Sequence, residues 1–198
     1  MNLNKRKEKM ANILDVFRTH TGERLVERTG ELIKLDKQKI ERALVFTLPA
    51  LLSVFQKNEE FLMGGSSNLI SLVEKGDLIL EGDKTLKQHL SEEQLESLKR
   101  NASLLKIDEQ SFQDILKIAA AFLSGVIAQM KETEKDSETV DLLRTLSGQD
   151  VKYDKVFIRT LVKNEDSPDI IDSSEEIALG RKKDDNDESI LGGYSGGR

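Results

Sequence analysis

"LDKQKIERALVFTLPALLSVFQKN", residues 35–58, is the most apolar part of the chain, and it carries a proline near its centre. Asp36 stands where a helix N-cap belongs, with a side-chain oxygen able to accept a free backbone N–H. Ile40, Ala43, Leu44, Leu48, Leu51, Leu52 and Phe55 follow at mostly three- and four-residue spacings. This spacing predicts a helix of about twenty residues with a wide apolar face. Pro49 has no N–H to offer the Val45 carbonyl, and its ring crowds the preceding turn, so a bend around the core is predicted there.

A second stretch, "IDEQSFQDILKIAAAFLSGVIAQMK" at 107–131, has the same plan. Asp108 is its cap, and Phe112, Ile115, Leu116, Ala119, Phe122, Leu123, Val126 and Ile127 form its apolar face. Laid over the first at an offset of 72 residues, it places Arg28 on Arg100, Leu32 on Leu104, Lys34 on Lys106, Asp36 on Asp108, Gln38 on Gln110, Leu44 on Leu116 and Leu51 on Leu123. Such matching predicts an internal duplication of a short-helix, turn, long-helix unit. Two copies are too few for a solenoid, so two helical hairpins packed face to face around one core are expected. Pro49 falls on Ala121, which makes the proline dispensable to the basic unit.

Composition agrees with helices. Aromatic residues are only 5% and Trp is absent, so the interior must be built mainly from Leu, Ile, Val and Ala. Cysteine is also absent, which removes disulfides, thiolate nucleophiles and thiolate metal ligands and fits a reducing, cytoplasmic setting. No signal-peptide pattern is read at the N-terminus. Two long uncharged and strongly apolar runs, Ala43 to Gln56 and Ile118 to Met130, are 14 and 13 residues. They are short of the roughly 20 that a bilayer span needs and are read as core helices, with no membrane span expected.

The rest of the chain is punctuated by turns. Gly64 and Gly65 break it, Ser66 or Ser67 is the expected cap of a short helix through Val73, and Gly76 with Asp77 marks another turn. "GDLILEGD" reads as a possible extended segment. A helix is predicted over 137–146, stopped by Ser147 and Gly148. "YDKVFIRTLVKN" at 153–164 mixes helical spacing with β-branched content, and helix is favoured over strand. The expected organisation is a basic N-terminus over 1–10, a duplicated helical core over 11–131, accessory helices over 132–163, and an acidic tail over 164–198 expected to be largely disordered. From Asn164 to Arg198 ten acidic residues face four basic ones, so the whole net charge of −6 belongs to the tail. The neutral remainder is a poor match to the basic face of a nucleic-acid binder, although Lys5, Arg6, Lys7 and Lys9 form a short basic run.

Site chemistry is sparse. The two histidines, His20 and His89, sit in no ligand or acid-base pattern, and both are read as local surface, with Ser91 and Gln94 after His89 forming a capping box. "GGSSN" at 64–68 lacks the lysine and preceding strand of a phosphate loop. Glu59 with Glu60 and Asp184 with Asp185 lie in charged stretches where their pKa values have no reason to separate. Ala121 and Gly125, four apart, allow close backbone approach, most simply of the first long helix and alternatively of a second copy of the chain. No catalytic, cofactor-binding or metal-ligating residue is assigned, and no enzymatic activity or cofactor is expected.

Residues 21–55 resemble the opening unit of a bacterial family of unknown function, the YidB-like proteins. The resemblance rests on Thr21-Gly22, Thr29-Gly30 and "IERALVFTLPALL", with Ala43, Leu44, Pro49, Leu51 and Leu52 on the pattern positions. "KGDLIL" at 75–80 and the Gly-rich ending are similar to further elements of that family. Ala121 departs from the proline usual in the later half, and the segment around "EGDKT" lacks the expected Phe-Gly. The resemblance spans about residues 20–130 and implies an all-α fold in a bacterial cytoplasm, without any activity. The functional expectation is a helical module that binds or scaffolds another protein, with homo-oligomerisation possible; the alternative is nucleic-acid binding or regulation.

Overall fold

The computed structural model describes residues 11–57 and 68–162. The basic N-terminus, the Gly64-Gly65 break and the acidic tail expected from the sequence lie outside these residues. Among the described residues every regular element is helical. After a 3₁₀ segment, Ile13–Arg18, come α1 (His20–Ile33), α2 (Lys37–Phe55), α3 (Leu69–Lys75), α4 (Leu78–His89) and α5 (Glu92–Lys99). They are followed by α6 (Ala102–Leu105), α7 (Glu109–Thr133), α8 (Thr139–Leu146) and α9 (Asp154–Val162).

The helix starts follow capping chemistry. Asp36 accepts the Lys39 N–H at 3.0 Å and Asp108 accepts the Ser111 N–H at 2.9 Å, satisfying donors that the first turn leaves free. The bond to Ser111 holds the Asp108 carboxyl below its usual pKa, because it favours the charged form. Ser91 and Gln94 bond each other's backbone N–H groups across the first turn of α5, as the sequence predicts. The cap of α3 is Asn68, not Ser66 or Ser67: its side chain takes the Ser71 N–H at 2.8 Å. Lys34 and Lys106 end α1 and α6 in left-handed backbone, with φ of 58° and 55°.

Helix α7 is the axis of the molecule. Every residue from Ile118 to Ile127 is buried, and α2, α3, α4, α8 and α9 all pack against it. It is the described helix long and apolar enough to cross a membrane by length and composition, yet here its surface is consumed by other helices of the same chain. Leu142, Leu143, Leu146, Phe157 and Leu161 of α8 and α9 join the core of the earlier helices. Residues 154–162 are helix, as favoured, and α8 ends before Ser147 and Gly148.

"GDLILEGD" is not extended. Asp77 caps α4 by accepting the Leu80 N–H at 3.0 Å, and the helix lays Leu78, Gly82, Thr85, Leu86 and His89 on α7 and its surroundings. This spacing is helical, but glycine, threonine and histidine disguise it. At Gly82 the backbones of α4 and α7 touch: a Cβ there would stand 2.7 Å from the Lys117 Cα and closer still to its carbonyl. Gly125 also takes a close neighbour, though not the expected one. Its hydrogen faces Leu72 and Leu69 of α3, 2.7 and 3.2 Å from where a Cβ would lie, rather than α2.

Replacing a mid-helix glycine by alanine ordinarily gains up to about 1 kcal/mol. At Gly82 the sign reverses, because the new methyl lands on backbone that cannot rotate away. Gly82→Ala is expected to cost about 1–3 kcal/mol or more in chemical denaturation, and a stabilised variant would contradict the backbone contact.

Candidate interaction surface

The residues that carry chemistry are scattered or spent on structure. His20 opens α1, largely exposed, with Nδ1 3.6 Å from Glu23. His89, in contrast, is not surface: it is 7% exposed, and its ring stands edge-on to Phe55 with centroids 6.0 Å apart. Its place one turn after Thr85 and Leu86 on the buried face of α4 explains the difference. Among the described residues no three metal-binding side chains gather. Most ion pairs among the described residues lie within one helix, such as Arg28 with Glu31 at 2.9 Å and Lys84 with Glu81 at 2.8 Å, while Arg24 with Glu74 and Lys152 with Asp141 link separate elements; exposed pairs of this kind are worth little individually.

One carboxylate is strained electrostatically. Asp154, at the start of α9, accepts the Ala11 N–H through Oδ2 at 3.1 Å, while its Oδ1 is buried and without a partner. Burial, with smaller contributions from Asp15 and Asp150, pushes its pKa up, against the pull of the Ala11 N–H. The role is structural: Asp154 ties the chain before the 3₁₀ segment to the far end of the sequence.

Among the described residues Val45 and Phe46 are the adjacent pair of exposed large apolar side chains, on the outward side of α2, whereas the more exposed Leu80, Leu104, Val140 and Val151 stand singly. The inner side of α2, Ile40, Ala43, Leu44, Thr47, Leu48, Leu51, Leu52 and Phe55, is buried against α7 and its neighbours. From Ala43 to Gln56 the helix has no charged residue at all, so its solvent side is uncharged too. Val45 is 44% exposed and Phe46 37%, with Pro49 half-buried one turn on and Ser53 exposed beyond it. Arg42 precedes this stripe by one turn and Lys57 follows it by one turn, both exposed and without an ion pair among the described residues. The helix runs through Pro49 unbroken, and the proline supplies no N–H to the Val45 carbonyl, so the stripe also carries a main-chain acceptor with no helical donor.

Helix α2 is held firmly in this pose. Asp36 caps one end, and at the other Gln56 donates to the Leu143 carbonyl at 3.0 Å and to the Ser147 hydroxyl at 2.9 Å. The sequence exposes the uncharged run but not its orientation, because the inner and outer sides of the helix are both apolar. Compared with protein-family models, with curated proteins and with solved structures, the chain finds no match.

Two outcomes follow. Pro49→Ala restores the bond to Val45 on a partly exposed face and is expected to stabilise the fold by about 1–3 kcal/mol in thermal or urea unfolding; loss of the fold would show that the bend is needed for packing. For Asp154 the folded pKa lies above the ordinary aspartate value, so stability is lost as pH rises between the two. Asp154→Asn removes that titration, and the stability of the variant relative to the parent should grow from pH 4 to pH 7; a constant difference would refute it.

Proposed function

We propose that this chain is a non-enzymatic helical module that docks another protein on the outward face of α2. The observation that carries the reading is the uncharged, partly apolar stripe of Val45, Phe46, Pro49 and Ser53, framed by Arg42 and Lys57 on a rigidly anchored helix. Adjacent exposed apolar residues within a polar rim are the usual anatomy of a docking surface. A cytoplasmic location goes with the absence of cysteine from the sequence.

We also infer that the chain is built from two copies of one unit. The supporting landmarks recur 72 residues apart. Thr19 and Ser91 are N-caps, Lys34 and Lys106 are left-handed helix ends, and Asp36 and Asp108 cap the long helices. α1 corresponds to α5 with α6, α2 to α7, α3 to α8 and α4 to α9. Kinship with the YidB-like proteins is part of the same proposal; the positions that carry it are packing positions. Gly22 lies against the Val16 carbonyl, Thr21 donates to the Leu161 carbonyl at 2.5 Å, and Thr29 donates to the Leu25 carbonyl at 2.6 Å.

Duplication accounts for the bare stripe. In the second unit the corresponding face of α7 is covered by α4, with Gly82 on Lys117, the counterpart of Val45. The helix that would cover α2 in the same way is α9, whose position equivalent to Gly82 is Asp154, tied instead to Ala11. α9 packs on α1, α7 and α8, leaving the face of α2 open.

The test is affinity capture from a native lysate with the full chain and with Phe46→Asp, the variant's thermal unfolding being measured alongside to establish that it is folded. A specific protein retained by the parent and lost by the variant is the expected result. Capture indifferent to Phe46→Asp, or salt-sensitive retention of nucleic acid alone, would overturn it.

A further inference from the structure

The contact of α4 with α7 shows what a helix laid on the outward face of α2 has to carry. Helix α4 is twelve residues long and buries Leu78, Gly82, Thr85 and Leu86, so its glycine has a leucine four residues before it, another four after, and a hydroxyl three after. At Gly82 the place of a Cβ is taken by the Lys117 carbonyl, and a hydrogen on the glycine Cα points at that oxygen instead. Such Cα–H contacts to carbonyls recur where helices approach closely. Lys117 matches Val45 in the overlay, and the Val45 carbonyl has no N–H at position 49 to receive. A helix seated on α2 as α4 is seated on α7 therefore needs glycine over Val45, apolar residues four positions to each side of it, and a Ser or Thr within one turn to donate to the Val45 carbonyl.

Charge narrows the occupant further. Arg42 and Lys57 bound the stripe, both exposed and without an ion pair among the described residues, and no charged residue of α2 lies between them. Their positions in sequence put them about 22 Å apart along the helix axis. A second copy packed through the same stripe would set Arg42 against Lys57 if the helices ran antiparallel, and each cation against its own counterpart if they ran parallel. Both arrangements bring like charges together, whereas an acidic helix meets opposite charge at each end. We propose that the occupant of the outward face of α2 is an acidic amphipathic helix of another protein, with glycine at its point of closest approach and carboxylates at both ends of its contact. This rests on the reading of that face as a docking site and on the correspondence of α2 with α7, and it names the chemistry of the partner.

The probe is a capped synthetic peptide of residues 77–90 carrying Lys84→Glu and Lys87→Glu, titrated into the isotope-labelled full chain. Movement of the Val45, Phe46 and Ser53 amide signals is the expected result. Gly82→Ala in the peptide should weaken binding about tenfold or more, although alanine favours the helix. Arg42→Glu with Lys57→Glu in the chain should weaken it comparably, and that charge-reversed chain should bind instead the peptide of residues 77–90 carrying Glu81→Lys and Asp83→Lys. Absence of binding at millimolar peptide, equal or tighter binding of the alanine peptide, or indifference to the charge reversal overturns the proposal. So do signals that move on α7 and not on α2, since the peptide would then be displacing α4. Capture that still depends on Phe46 after such a failure would leave the docking reading standing with a partner of other chemistry, which tells the two apart.

Discussion

The contact of backbone on backbone between Gly82 and Lys117 is the constraint on which the rest of the molecule depends. An α-helix buried all round, as α7 is from Ile118 to Ile127, must be enclosed by neighbours close enough to leave no void. Side chains on α3 do this over Gly125 with Leu69 and Leu72. Over Lys117, the neighbour is α4 itself, admitted only because neither hydrogen of Gly82 occupies the space of a methyl. With α4 seated, Phe55 of α2 meets His89 at its far end, and the first long helix is drawn onto the second. Each fully buried leucine or phenylalanine in that arrangement contributes about 1.5–3 kcal/mol of transfer free energy, so a small glycine governs a large term.

The two long helices show how environment, rather than sequence alone, sets the fate of similar segments. Leu44, Leu51 and Val54 match Leu116, Leu123 and Val126 in the overlay, and both helices begin at an aspartate cap with the same bond geometry. Yet Ile118 is fully buried while Phe46, at the matching position, is more than a third exposed. The difference is the presence of a covering helix, and it is decided far from either residue in sequence, where Gly82 permits close approach and Asp154 instead recruits the Ala11 N–H.

Much of the fold was legible because its strongest signals are redundant. For α2 and α7, a cap residue, a helical apolar period and the length of the run agree, and for α8 the period agrees with the Ser147-Gly148 stop. Helix α4 was illegible for the opposite reason. Its buried face consists of Leu78, Gly82, Thr85, Leu86 and His89, of which only two are conventional core residues. A reading that counts leucines sees a short extended run in "LIL" and a surface histidine in "KQHL". Gly82 and His89 make sense only once α7 is in place. The open face of α2 was half legible: the lack of charge from Ala43 to Gln56 is visible in sequence, but a helix apolar on both sides does not announce which side will stay uncovered.

Pro49 now has a more specific meaning than a bend. On the inner side of α2, a proline ring would disturb packing against α7; on the outward side, its cost is confined to one missing hydrogen bond and the local turn. The Val45 carbonyl has no N–H at position 49 to receive. A purely apolar cover would strand it, at a cost of about 1–3 kcal/mol for a buried acceptor left unpaired. Any stable occupant of this face must therefore bring a donor to Val45 as well as apolar contact to Phe46. On the docking reading proposed above, the proline would act as a selectivity element, disfavouring indiscriminate apolar association of the exposed stripe and favouring a partner that carries a hydroxyl or a free N–H at the middle of its apolar side.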